Sequence, residues 1–342
     1  MQRPVMDPTF VKDQAKAKRR GLPLLRWTIG AARWLGRSLL SNPLVVQRPD
    51  DPKRPSLVKV GVRMLVSWAV FLPLLTVGSA VTLVWLGTHP KSPPAITDPN
   101  SQACYFDPVS FASEDGAQLS AWLIPVIDAK RILLEKERVF HSRRPAIVLV
   151  HDYSESAQQM LPLVRPLHDE GVVVLDVSLR GSGSQTTGAQ TFGLNEAKDI
   201  AAAVALLRHS TFVDPQRIAV AGIGTGANAA LIAASRDSNI AAVVIFNPIK
   251  DCDAAIIQWV APRRPSLNWM EPLCRRVFEV MYGVHAEDLT YDHYASVLKS
   301  RPTMLFTGDS FVLHEANTIN EVRAFCRRQL RTQEMPTLGT AR

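Results

Sequence analysis

The strongest chemical signal in this chain is one glycine-rich turn, 222–226, which reads Gly-Ile-Gly-Thr-Gly. An apolar run of strand length, 218–221, precedes the turn, and an alanine-rich helical run, 227–234, follows it. A strand, a sharp glycine turn and a helix form the arrangement that presents a reactive serine in the pattern G-x-S-x-G. The middle position of that pattern is Gly224 here. The turn therefore predicts acyl-transfer chemistry, but its attacking atom is missing.

The elements that must position this turn alternate regularly along the chain. Strand-like apolar runs cover 146–150, 172–175, 218–221, 241–246 and 303–306, and helical runs cover 156–170, 194–209 and 315–331. Continuous Val, Ile and Leu strands between helices indicate an α/β fold with a mostly parallel sheet covered on both faces. Upstream, 109–112 and 118–126 flank an Asp-Gly pair and predict a hairpin. Residues 249–300 interrupt the alternation, and we expect a lid-like insertion there.

Over residues 105–330 the chain resembles the α/β-hydrolase fold, closest to its serine-aminopeptidase-like and esterase-like branch. The segment 147–151 is similar to the strand that enters the family's HG oxyanion loop, and 176–184 is similar to its D-x-R-G-x-G-x-S segment. Residues 214–218 match a DP-x-RI lead-in to the turn, and 302–309 look like the strand that carries the catalytic acid. The resemblance implies an enzyme that uses a hydroxyl nucleophile, a histidine base and an orienting carboxylate.

All three catalytic positions implied by that resemblance are vacant. The nucleophile position is Gly224, and the acid position, two residues beyond a Gly-Asp pair, is Phe311. The base should follow on a later loop, but no histidine follows His314. Two substitutions remain open. Thr225 carries a hydroxyl one position late, and His314 could pair with Asp251 or Asp253.

The expected oxyanion loop is altered as well. The resemblance predicts glycine after His151, and the chain has Asp152 there. A carboxylate at that place opposes developing negative charge unless it points away. The backbone N–H groups of Tyr153 and Thr225 could still form the hole, and N–H groups at the head of a helix also bind carboxylates or phosphates. We therefore expect an oxyanion-type binding pocket formed by His151, Asp152, Tyr153, Gly224 and Thr225, with His151 bonded to its own loop.

Residues 64–87 predict a transmembrane helix. The segment holds 24 residues without a charge, and at 1.5 Å per residue it spans roughly 36 Å, enough for the ~30 Å hydrocarbon layer. Trp68 and Trp85 stand near its two ends, where aromatic belts form. A cleaved signal peptide is disfavoured by the length of chain that precedes the segment.

Positive charge is concentrated ahead of this helix. Residues 1–63 contain 14 Lys and Arg against 4 Asp and Glu, which predicts a basic cytoplasmic tail and an extracytoplasmic C-terminal part, in the inner membrane if the source is bacterial. Within the tail, 22–40 could form an interfacial amphipathic helix or a linker helix. The charge belongs to the tail, so it gives no support to nucleic-acid binding by the folded part.

The remaining segments complete the domain organisation. Residues 88–103 are proline-rich and predict a stiff linker, and 104–342 would form the hydrolase-like domain. The four cysteines, Cys104, Cys252, Cys274 and Cys326, lack C-x-x-C spacing, which argues against a zinc or thioredoxin-type site and leaves their disulfide state open. We expect no metal and no cofactor.

Two functions are compatible with these features. The first is a membrane-anchored, non-catalytic pseudo-hydrolase that acts as a ligand-binding or assembly module for a small acidic ligand, a lipid or a membrane-protein partner. The second is a divergent esterase or peptidase whose catalytic residues have moved. The vacant positions favour the first.

Overall fold

The computed structural model describes residues 57–127, 132–133, 136–137, 142–182, 186–250, 269–295, 299, 301–308 and 313–332. Three candidate residues, Asp251, Asp253 and Phe311, lie outside these ranges, as do Cys252 and the tail before residue 57. The chain divides into two compact units, Met1–Leu72 and Pro73–Arg342, and the division falls inside the first helix.

That helix, α1, runs over Leu57–Thr88 and contains Pro73. It begins seven residues before the predicted start, because the preceding residues also favour helix. Its segment Val58–Thr88 has a mean hydropathy of 2.1 in its most apolar window, which makes it long and apolar enough to cross a membrane. Its last turns were expected to lie in the membrane, but Ala80 and Val84 are fully buried against the apolar core of the second unit. The helix therefore joins the folded domain before it ends.

A seven-stranded sheet organises the second unit. Its order is β1-β2-β4-β3-β5-β6-β7. The pairs β1–β2 and β2–β4 are antiparallel, and the other neighbouring pairs are parallel. The strands are β1 Asp107–Ala112, β2 Gln118–Ile124, β3 Arg144–Val150, β4 Val173–Ser178, β5 Val213–Ile223, β6 Ile240–Phe246 and β7 Thr303–Phe306. The predicted α/β class, the mostly parallel sheet and the hairpin are confirmed.

Helices cover both faces of the sheet. They are α2 Leu161–Asp169, α3 Glu196–His209, α4 Thr225–Arg236, α5 Glu271–Tyr282, α6 Tyr291–Ala295 and α7 Ala316–Gln329. One apolar layer contains α3, α4, α5 and the last turns of α1, and the other contains α2 and α7. The central strands are buried on both sides, which is why they read as continuous apolar runs rather than alternating ones.

Within the predicted lid, the described part consists of α5, α6 and a short 3-10 turn at Ala286–Leu289. The predicted linker holds a 3-10 turn at Pro99–Gln102, which Asp98 caps by accepting a hydrogen bond from the Asn100 amide at 3.0 Å. Cys274 and Cys326 are buried free thiols, so neither belongs to a disulfide.

Candidate functional site

The glycine turn has the backbone shape that the strand–turn–helix pattern predicts. It joins β5 to α4, and Gly224 stands at its tip with φ 56° and ψ −116°. A side chain in this conformation is strained, and glycine removes that strain. The flanking glycines are required by space, because a Cβ at Gly222 would overlap the Gly226 carbonyl and a Cβ at Gly226 would lie 2.5 Å from the His151 carbonyl oxygen. The scaffold of the turn is therefore intact.

Two backbone amides converge beside this tip, and one carboxylate oxygen accepts from both. Asp152 Oδ1 accepts hydrogen bonds from the Tyr153 amide at 2.6 Å and from the Thr225 amide at 2.8 Å. These are the two amides expected to form the oxyanion hole. In an active enzyme of this kind they would stabilise the negative oxygen of a tetrahedral intermediate. In this chain they bind an oxygen that the chain itself supplies.

The same carboxylate occupies the space of the absent nucleophile. A Cβ built on Gly224 would overlap all three carboxylate atoms of Asp152, so the glycine and the aspartate fit each other. Burial raises the pKa of the Asp152 carboxyl, while the amides of Thr225 and Tyr153 act in the opposite direction. We expected this carboxylate to oppose catalysis unless it pointed away from the oxyanion hole. In the structure it points into the hole.

Neighbouring side chains hold the loop of Asp152 in place. The Asp152 amide donates to Gln159 Oε1 at 2.8 Å, and the Ser154 amide donates to Gln190 Oε1 at 3.2 Å. The Tyr153 hydroxyl donates to the carbonyl of Gly87 at 2.5 Å. Tyr153 therefore connects the hole, through its amide, to the end of α1, through its phenol.

His151 lies at the end of β3 and has both ring nitrogens engaged by backbone. Nδ1 lies 2.7 Å from the Asp152 carbonyl oxygen, and Nε2 accepts from the Leu179 amide at 3.1 Å. A carbonyl only accepts, so Nδ1 carries the proton and the ring is neutral. Burial lowers the pKa of His151 to about 4. This arrangement leaves no ring nitrogen to serve a nucleophile.

Of the candidate substitutes that the structure describes, Thr225 lies in the turn and His314 lies on the surface. Thr225 Oγ1 is buried and makes no hydrogen bond of ordinary geometry with the described residues, although its proximity lowers the pKa of Asp152. His314 is exposed and lines a surface groove with Gln158 and Arg165. Its proposed partners Asp251 and Asp253, and the vacant acid position Phe311, fall outside the described residues.

An ion-pair network supports the loop that follows β4. Arg180 Nη2 lies 2.6 Å from Asp199 Oδ1 on α3, and Nη1 lies 2.8 Å from Asp115 Oδ2 in the β1–β2 turn. The hydrogen bond from Arg180 lowers the pKa of Asp115 to about 2. The network joins three elements, and its carboxylates are already paired with a guanidinium. We assign it a structural role.

Another buried carboxyl, that of Asp176, lies in β4. Asp176 is fully buried, and neither of its oxygens has a hydrogen-bond partner among the described residues. Burial raises its pKa well above the ordinary value. Within the described ranges, no cluster of three His, Cys, Asp or Glu side chains is arranged to hold a metal ion.

Sequence reasoning missed three features of this site. It did not predict the direction of the Asp152 side chain, the contact of Tyr153 with α1, or the support from Gln159. The type of residue at 152 was the only available signal, because side-chain direction in a loop depends on contacts with residues distant in sequence.

Comparison with known proteins agrees with this fold. A model of the prolyl oligopeptidase family matches residues 159–310, which is less than half of the chain. The esterase Pf2001 of Pyrococcus furiosus, in one crystal form, superposes with a TM-score of 0.52 at 19% identity, covering 71% of this chain and 99% of the esterase. A second crystal form gives 0.51 at 18% identity, covering 70% and 97%. No curated protein sequence matches. The sheet, the glycine turn and these structures show that the chain has the α/β-hydrolase fold, and the matched segment supports a relation to the α/β-hydrolase fold superfamily.

Proposed function

We propose that this protein is a membrane-anchored member of the superfamily whose hydrolase-like domain binds or assembles with other molecules and does not hydrolyse esters or peptides. The observation that carries the proposal is the Asp152 carboxylate. It accepts from both amides of the oxyanion hole and fills the volume that a nucleophilic side chain on residue 224 would need.

A substrate carbonyl would meet two obstacles at this turn. It would have to displace Asp152 Oδ1 from the Tyr153 and Thr225 amides, and hydrogen bonds to a charged acceptor are stronger than those to a neutral carbonyl. It would then find no attacking oxygen on Gly224. Loss of the nucleophile alone costs about 10⁶ in turnover, and the residual catalysis that such enzymes retain comes largely from the oxyanion hole. Here the hole is filled too.

The occupied oxyanion hole also bears on which ligands could bind at the turn. A small acidic ligand was expected at the head of α4, and that place is taken by a carboxylate of the chain. An external anion would therefore compete with Asp152. The lipid and membrane-protein partners use other surfaces, and the long apolar helix α1 supports a membrane location. The basic residues 1–63 support a cytoplasmic N-terminus.

Turnover assays on a matched set of variants test the proposal. We compare the wild type, Gly224→Ser, and Gly224→Ser combined with Asp152→Gly on short-chain p-nitrophenyl esters and on aminoacyl p-nitroanilides. We expect all three to match the heat-denatured protein, because the double variant has a hydroxyl and an open hole but no base.

The alternative is an esterase or peptidase with relocated residues, and the same assays address it. Turnover by the wild type that survives further purification would establish that function in place of the proposed one. Turnover that appears only in the double variant would show that a working histidine is present, and that Asp152 and Gly224 alone silence the site.

A further inference from the structure

The last turns of α1 have an unusual distribution of apolar surface. One stripe, which includes Ala80 and Val84, is buried against the domain. The opposite stripe is also apolar and is open, with Leu75, Trp85 and Leu86 exposed by 53%, 52% and 55%. A helix that covers a domain in water normally carries polar residues on its outer face. An apolar medium is therefore expected to reach this face of the domain.

A second apolar feature stands beside that stripe. Trp269, just before α5, is 65% exposed and, together with Met270, lines an apolar groove against α1. The α1 side of the groove includes Leu74, Leu75 and Leu83, and its volume is about 680 Å³. Large apolar surfaces that are contiguous and exposed mark sites of interaction with membranes or partners.

Two hydroxyls of the α1 wall, those of Ser79 and Thr82, are satisfied within the helix. Ser79 Oγ donates to the Leu75 carbonyl at 2.8 Å, and Thr82 Oγ1 donates to the Gly78 carbonyl at 2.8 Å. Hydroxyls bonded back to the preceding turn present no unsatisfied donor to the groove, as a hydrocarbon environment requires. This wall suits acyl chains.

Helix α5 lies alongside the end of α1 and fixes the depth of Trp269. Its last residue, Tyr282, donates from its hydroxyl to Thr88 Oγ1 at 2.8 Å. Its beginning lies at the groove, so Trp269 is level with α1 residues that precede Thr88 by about 8 to 21 Å at 1.5 Å per residue. Trp85 is only about 4 Å from that end. Trp269 therefore lies deeper along α1 than Trp85, so a lipid layer that covers Trp85 covers Trp269 as well.

The charge of Arg276 is compatible with such a position. Arg276 is 77% exposed along its side chain and pairs with Glu279 at 2.8 Å. It follows Trp269 by seven residues, which is about 10 Å of helix toward Thr88. Long arginine side chains reach from apolar surroundings to the headgroup layer. Trp269, farther from Thr88 along the helix axis, and Arg276, nearer to it, match the order of groups from the bilayer interior to a membrane interface.

We propose that the start of α5, with Trp269, is embedded beside α1 in the membrane leaflet that faces the hydrolase-like domain, and that phospholipid acyl chains fill the groove between them. The inference rests on the membrane location in the proposed function and adds to it. The domain is then partly sunk in the bilayer rather than held above it on a linker.

Fluorescence quenching of the full chain in phosphatidylcholine vesicles tests this embedding. The emission lost on Trp269→Phe isolates the signal of Trp269, which should shrink strongly when dibrominated lipid replaces ordinary lipid and change little with aqueous iodide. Trp85→Phe gives a lipid-quenched reference, and Trp122→Phe gives an unquenched one, because Trp122 packs edge-on against Phe106 in the sheet region. Trp269 is exposed, so its replacement removes little packing.

Each other outcome overturns the inference in a distinguishable way. Quenching of the Trp269 signal by iodide would place that residue in water. Quenching by neither agent would show that protein covers it. A chain that fails to float with the vesicles would remove the membrane location itself, whereas a floating chain with an iodide-quenched Trp269 removes only the embedding.

Discussion

Asp152 Oδ1 accepts hydrogen bonds from the Tyr153 and Thr225 amides, as the oxygen of a reacting substrate would in a hydrolase. In a hydrolase those donors are held ready and empty, and their preorganisation supplies much of the rate. Here the donors are satisfied in the resting protein. Two amides without an acceptor would destabilise the fold, so we infer that the aspartate stabilises the turn.

Removal of this carboxylate should be measurable as a loss of stability that an added anion reverses. We expect Asp152→Ala to lower the free energy of unfolding by about 1–3 kcal/mol, because the Tyr153 and Thr225 amides lose their acceptor. Sodium acetate should restore part of that loss by binding the emptied hole. Urea unfolding of the detergent-solubilised chain, with and without acetate, measures both effects.

Asp152→Asn is the matched control for this prediction, since its side-chain oxygen can still accept and its loss should be smaller. Sodium chloride at equal ionic strength controls for general salt effects. Equal losses in the two variants, or no difference between acetate and chloride, would contradict the role given to Asp152.

Asp176 leads to a prediction about pH. Its folded pKa is raised by burial, so the folded chain keeps a proton that the unfolded chain has released. The contribution of this group to stability is therefore complete below about pH 3.9 and is lost as pH rises through the folded pKa, at about 1.4 kcal/mol per pH unit. Asp176→Asn has no such loss.

The stability of Asp176→Asn relative to the wild type should consequently increase between pH 4 and pH 8. Urea unfolding at several pH values measures this difference, and the groups that the two proteins share cancel from it. The asparagine amide adds a constant offset that does not depend on pH. A relative stability that stays flat over this range would mean that the Asp176 carboxylate has a partner or ionises without cost.

At the scale of elements, Tyr153 couples helix α1 to the site. Its phenol donates a hydrogen bond to the carbonyl of Gly87. The backbone amide of Gln190 donates to the adjacent carbonyl of Thr88 at 2.7 Å. The end of α1 is thus joined to the oxyanion loop and to the segment before α3. A displacement of α1 would act directly on the residue whose amide binds Asp152.

Tyr153→Phe should loosen this connection. The loss of one buried hydrogen bond costs about 1 kcal/mol, and local opening of the segment after α1 should increase roughly fivefold. Cleavage after the exposed Lys91 by a lysine-specific protease reports that opening. Tyr282→Phe is the control with a smaller expected effect, because the Thr88 hydroxyl retains its own bond to the Val84 carbonyl at 2.9 Å. Identical cleavage rates for Tyr153→Phe and the wild type would exclude the coupling.

The elements themselves were largely predictable from the sequence, and their contacts were not. The run 241–246 coincides closely with β6 because buried parallel strands are apolar throughout. The run 303–306 coincides with β7, an edge strand that is only partly buried. The start of β5 was missed, because Asp214, Pro215 and Gln216 are poor strand formers. They lie in a register shift between Val213, which pairs with Arg144, and Ile218, which pairs with Ala146. The docking of Ala80 and Val84 could not be predicted, since a helix that is apolar on every side gives no sign of which side packs.

At the scale of the whole molecule, a hydrolase scaffold is joined to an apolar helix whose last turns belong to its core. The vacant positions were visible in the sequence as residue types, and the filled hole was visible only in three dimensions. The chain keeps the steric demands of Gly222 and Gly226 and binds its own carboxylate at the turn, and we propose that it retains the architecture of the site without its reaction.

Covalent labelling by a fluorophosphonate probe tests that claim most directly, because such probes react only with a nucleophile activated by its surroundings. We expect the purified full-length chain in lipid vesicles to remain unlabelled, and an active serine esterase in the same vesicles to be labelled fully. Labelling of the native chain that saturates at one site and disappears on heat denaturation would contradict the account, and the labelled residue would identify the nucleophile.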